Sequence, residues 1–231
     1  MTNSDNASPM LPAAGDVVVA WPQEPQQLFL ILHGAAQTPA HWQALAQDLA
    51  QHFPQGLVVA LSTPAVLLQG EVDLPAELPA ATNALRALVQ NWQTHTGLGF
   101  ERTALIATGM AASTALHAVA AHADVAARLF AVGGKLAQPL PIAADTTLHW
   151  LHGASDASMR EEQAHTTAQQ LRALDVDFTL DVLPGSCTVC TADLQQRVLH
   201  LLQNHVPQRL WREAMKAAGQ DVAAAPDQPL H

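Results

Sequence analysis

Thr103-Ala104-Leu105-Ile106-Ala107-Thr108-Gly109-Met110-Ala111-Ala112 is the stretch that decides the fold. Its first six residues are nearly all apolar. A run this short and this continuous predicts a strand buried on both faces of a sheet. Gly109 ends the run. From Met110 to Ala121 the chain turns to alanine, leucine and other residues compatible with a helix. A strand that passes into a helix across one glycine is half of a strand–helix–strand unit, in which parallel strands are joined by helical crossovers.

The same alternation extends in both directions. The apolar runs predict strands at Asp16–Trp21, Leu28–His33, Leu57–Ser62, Thr103–Thr108, Arg128–Val132, Thr146–His152 and Phe178–Leu183. Helical patterns predict helices at Pro39–His52, Ala76–His95, Met110–Ala121, Arg160–Ala173, Thr191–His205 and Gln208–Ala217. Ala164, Ala168, Leu171 and Leu174 recur at three- and four-residue spacing and mark an apolar stripe. Pro39 suits a first helical turn, and Pro207 separates the last two helices. Strand–helix alternation predicts an α/β domain with a mostly parallel sheet covered on both faces. Ligands in such folds lie beyond the carboxyl ends of the strands.

Composition bounds the function. The chain has 231 residues, 49% of them hydrophobic and 13% charged, with a formal charge of −10. That acidic balance argues against a nucleic-acid partner. The sequence has no apolar run of the roughly 18 residues that a membrane span requires. Met1–Pro9 has neither the basic nor the apolar region of a signal peptide, so the expected location is cytoplasmic. Two cysteines cannot staple a domain of this size. The expected organisation is a flexible leader over 1–14, one domain over 15–218 and a flexible tail over 219–231.

Four features occur in order at the predicted strand ends. A strand ends in Leu32-His33-Gly34 and is followed by a loop of small residues. A later strand ends in His152-Gly153-Ala154-Ser155-Asp156. Thr179-Leu180-Asp181-Val182 leads into the loop Pro184-Gly185-Ser186-Cys187-Thr188-Val189-Cys190. The segment His205-Val206-Pro207-Gln208-Arg209-Leu210-Trp211 begins a closing helix. Together these resemble the α/β-hydrolase fold in its small carboxylesterase/phospholipase type, a family of serine hydrolases without a large lid. The resemblance covers about residues 15–218. It implies that His33, Gly34, Ala35 and Met110 frame the oxyanion hole and pocket, with Asp156 as the triad acid. It also implies that 74–79, with two prolines, rims the pocket.

Two other triad positions depart from the family pattern. The family carries its nucleophile in G-x-S-x-G on a tight strand-to-helix turn. Here Ala107-Thr108-Gly109-Met110-Ala111 stands in its place, so the nucleophile position falls on Gly109. The base position falls on Thr188, and no histidine occurs between Pro184 and Cys190. Ser-His-Asp chemistry needs a hydroxyl to attack and an imidazole to carry its proton. The expected protein is therefore a degenerate esterase. It would bind a small ester- or acyl-like ligand, a protein partner or a second copy of itself, and use no cofactor.

The alternative is an active hydrolase with a relocated nucleophile, and Ser113 and Cys187 are the candidates. Ser113 would sit one helical turn past the elbow, facing helix neighbours. Cys187-x-x-Cys190 precedes a helix N-terminus, which can activate a thiol, but two cysteines packed as small hydrophobes is the plainer reading. A zinc site would need further ligands, such as His33 and His152. Both histidines read more simply as supports of their strand ends. Thr108 is expected to pack, and His200 lies too far along its helix to replace the base. Asp156 has a second reading as a turn residue.

Overall fold

A computed structural model describes residues 15–68, 78–136, 141–156, 159–187 and 189–217. The strands are β1 (Val17–Ala20), β2 (Gln27–Leu32), β3 (Gly56–Leu61), β4 (Thr103–Thr108), β5 (Arg128–Val132), β6 (Thr147–Gly153) and β7 (Phe178–Leu183). The helices are α1 (Gln43–His52), α2 (Leu78–Thr96), α3 (Met110–Ala121), α4 (Glu161–Ala173), α5 (Ala192–Asn204) and α6 (Gln208–Ala217). The predicted leader, the tail beyond 217, Thr188 and most of the expected 74–79 rim lie outside the described residues.

The strands form one sheet in the order β1-β3-β2-β4-β5-β6-β7. Only β1 runs antiparallel, paired with β3. Its connection to β2 spans Trp21 to Gln26, too few residues for a helical crossover. Residues of β2 to β6 are almost wholly buried, as their continuous apolar runs require.

Alternation along each strand divides the core into two layers. Leu105 and Ala107 join α2, α3 and α4 on one face. Ala104 and Ile106 join α1 and α5 on the other. Helix α3 buries Ala111, Ala112, Ala115 and Ala118, small side chains that let it lie close to the sheet. Residues Pro39–Trp42 form a 3-10 turn ahead of α1, so the helix proper starts four residues later than its sequence pattern implied. Thr191 caps α5, its hydroxyl accepting from the Leu194 N–H.

The parallel register aligns the strand ends. Ala107 pairs with Leu32, Thr108 with Val132, Val132 with Leu151, and Gly153 with Leu183. The loops after β2, β4, β5, β6 and β7 therefore leave along one edge of the sheet. All the residues singled out from sequence as catalytic follow these strands.

Candidate active site

Gly109 occupies the one-residue turn between β4 and α3, with φ 56° and ψ −123°. L side chains rarely adopt a positive φ. A tight strand-to-helix turn of this kind is the nucleophile elbow of α/β hydrolases. The Gly109 N–H donates to the Val132 carbonyl at 2.9 Å, fixing the turn to the end of β5. Among the described residues beyond its chain neighbours, a Cβ placed on Gly109 would meet only the Gly34 Cα, at 4.0 Å. The elbow thus faces the loop after β2 across open space.

That loop is held from two sides. The Gln37 N–H donates to the Gly34 carbonyl at 3.1 Å and closes a turn. Gln37 Oε1 accepts from the Gly34 N–H at 2.9 Å, from Trp42 Nε1 at 3.1 Å and from Thr108 Oγ1 at 3.2 Å. Ala35 is exposed at the loop tip and Met110 is half-buried at the start of α3. Met110 is the first residue of α3, where N–H groups have no partner within the helix.

His33 supports its strand end. Its N–H donates to Thr63 Oγ1 at 3.0 Å, and its Nε2 accepts from the Thr63 N–H at 3.3 Å. A backbone N–H can only donate, so the ring proton is on Nδ1, which donates to the Gly34 carbonyl at 2.9 Å. Both nitrogens are engaged, and neither is available to a metal. Among the described residues, no group of three or more His, Cys, Asp or Glu is placed to hold one.

Asp156 lies just past β6, where its N–H donates to the Gly153 carbonyl at 2.9 Å. Its carboxylate reaches back over the end of β5. A Cβ on Gly133 would stand 3.3 Å from Asp156 Oδ2, so that glycine makes room for the acid. The ends of β4, β5 and β6 therefore carry the elbow, Gly133 and the acid side by side. His152 is fully buried, and burial pushes its imidazole below its ordinary pKa against the opposing pull of Asp156 and Glu161.

The two relocated-nucleophile candidates are poorly placed for chemistry. Ser113 is buried, and its Oγ accepts from the Lys135 N–H at 2.9 Å. Cys187 is buried beside Gly153, and burial, helped by the Asp156 carboxylate, pushes its thiol up to about 11. It is a thiol at neutral pH, not the thiolate that attacks. Cys190 is a second free thiol, also raised by burial, with Gln195 Nε2 donating to its sulfur.

Sequence reading missed Gln37 and Gly133. The spacing of a glutamine in a polar loop does not reveal a three-donor hub. Gly133-Gly134 did carry a signal, two consecutive glycines immediately after a buried strand.

The sheet order and the one-residue strand-to-helix turn define the class by fold: that of the α/β hydrolases. The chain is similar to Esterase YpfH of Escherichia coli (strain K12), 28% identical over 212 residues that take in 86% of this chain and 91% of the relative. The solved esterase PE8 superposes with a TM-score of 0.67 at 20% identity, covering 80% of this chain and 97% of that one. A phospholipase/carboxylesterase from Dyadobacter fermentans DSM 18053 superposes with a TM-score of 0.63 at 16% identity, over 82% and 96% of the two chains. No family model matches the chain. No helix among the described residues is long and apolar enough to cross a membrane.

Proposed function

We propose that this protein is an esterase-fold binding protein that has lost Ser-His-Asp hydrolysis. In this reading the cleft at the strand ends takes a small ester- or acyl-like ligand in the cytoplasm. The observation that carries it is Gly109, a residue without a side chain at the elbow. The absence of histidine between Pro184 and Cys190 supports it. So do the hydrogen-bonded Ser113 and the raised Cys187 thiol. Without the nucleophile no acyl-enzyme forms, and a bare oxyanion hole leaves only about 10³–10⁴-fold acceleration over water.

Reaction with a fluorophosphonate probe and with p-nitrophenyl acetate tests this. The unaltered chain is expected to take no label and to show no esterase-level turnover. The double substitution Gly109→Ser with Thr188→His is expected to gain both. Stoichiometric labelling of the unaltered chain would end the proposal. A thermal-shift screen of acyl esters then separates a small-molecule binder from a protein-binding module, because a ligand of the folded state raises Tm.

A further inference from the structure

Three elements meet at one oxygen. Gly34 belongs to the loop after β2, Trp42 to the 3-10 turn before α1, and Thr108 to the last position of β4. Their donors all reach Gln37 Oε1, at 2.9, 3.1 and 3.2 Å. A carbonyl oxygen offers two lone pairs, so the three share it. Trp42 and Thr108 are buried, and among the described residues Gln37 Oε1 is the acceptor for both the indole N–H and the threonine hydroxyl. Among the described residues, Gln37 is the one side chain that bonds both to the loop facing the elbow and to the residue that enters the elbow.

The packing leaves little slack at this junction. A Cβ on Gly34 would fall 3.3 Å from Gln37 Oε1, 3.5 Å from the Thr108 carbonyl and 3.6 Å from Thr108 Oγ1. The loop backbone therefore lies directly on the end of β4. Among the described residues beyond its chain neighbours, the Gly34 Cα is also the only atom within 4 Å of a Cβ on Gly109. A shift of the loop away from Thr108 would change the width of the cleft at the elbow.

We propose that Gln37 is a positioning residue that fixes the distance between the 33–37 loop and the elbow at Gly109. It sets where the Ala35 and Met110 N–H groups stand relative to each other. Its consequence for catalysis rests on the reading of this cleft as an esterase-type site. The coupling between loop and elbow does not.

A double-substitution cycle read by amide hydrogen exchange tests the coupling in the full chain. Thr108→Val keeps the side-chain shape and removes only the hydroxyl donor. It is expected to speed exchange of the 34–37 amides roughly fivefold, although it lies 71 residues from Gln37. In a Gln37→Ala background the same substitution is expected to add less than about twofold, because the shared acceptor is already gone. Gln37→Glu, which keeps an acceptor at the same reach, is expected to restore protection. Loop exchange unaffected by Thr108→Val, or fully additive effects, would overturn the proposal.

A second readout uses the Gly109→Ser, Thr188→His protein. There Gln37→Ala is expected to lower kcat about tenfold or more with KM within about twofold, as for a group felt only in the transition state. An unchanged kcat at a temperature where the protein is folded would overturn the catalytic consequence. If the Gly109→Ser, Thr188→His protein shows no turnover, the esterase-site reading fails, and the exchange cycle still decides the coupling.

Discussion

Gly109 has a backbone conformation that most residues resist. At φ 56° and ψ −123° a glycine pays no Cβ penalty, whereas a serine there is strained by about 1–3 kcal/mol. Among the described residues only the Gly34 Cα would come within 4 Å of a Cβ there, beyond its chain neighbours, so the cost of a side chain against them is conformational and not steric. Gly109→Ser alone is therefore expected to lower unfolding free energy by about 1–3 kcal/mol, read as a lower urea midpoint. A stabilised serine variant would show that the turn is not strained. On the reading proposed above, glycine in place of a nucleophile at this turn would remove chemistry and relieve the elbow at once. Gly133 shares the positive φ, at 66°, and adds a steric constraint. A Cβ there would stand 3.3 Å from Asp156 Oδ2, so a side chain would require the acid to give by a few tenths of an ångström.

Strands and helices were legible because their signals are local. Each buried strand is a short apolar run, and each run lies within about a residue or two of the strand it forms. The elbow was legible as well, since Gly109 stands between a strand and a helix with no intervening loop. What sequence could not give is the long-range chemistry that ties elements together. Arg128 starts β5 as an ordinary charge before an apolar run. In the structure its guanidinium donates to the carbonyls of Leu201, Leu202 and His205 at 3.1, 3.3 and 2.9 Å. These carbonyls lie in the last turn of α5 and at its cap, the negative end of the helix dipole, and the Leu201 carbonyl also accepts from the His205 N–H at 3.1 Å. Arg128→Ala is expected to cost about 2 kcal/mol and to raise hydrogen exchange over 199–205 more than over β4. Equal exchange in both segments would mean that Arg128 supports the sheet in general and not this helix end.

On the scale of the whole molecule, buried histidines set the response to acid. His149 stands on β6 with no exposed surface, its ring 4.6 Å from Phe130 and 4.8 Å from His205 between centroids. Its Nδ1 lies 3.0 Å from Thr179 Oγ1. Burial first, then the charges of His205, Arg128 and Arg197, push its imidazole well below its ordinary value. Burial also lowers His117, His152 and His205. A histidine with a depressed pKa in the folded state binds its proton more readily when unfolded. Its contribution is fully present above the unfolded value near 6.5 and is lost as pH falls below it. Each histidine held wholly neutral removes up to about 1.4 kcal/mol per pH unit in that range. Asp16 works the other way, since burial raises its carboxyl, but its opposing effect lies near the carboxylate range. Urea unfolding should therefore give a clearly lower stability at pH 5.5 than at pH 7.5, before the carboxylates titrate. His149→Gln, which cannot take the proton, should flatten that dependence even if it lowers stability at pH 7.5. Equal stability at the two pH values in the unaltered chain would mean that acid reaches these rings without unfolding the protein.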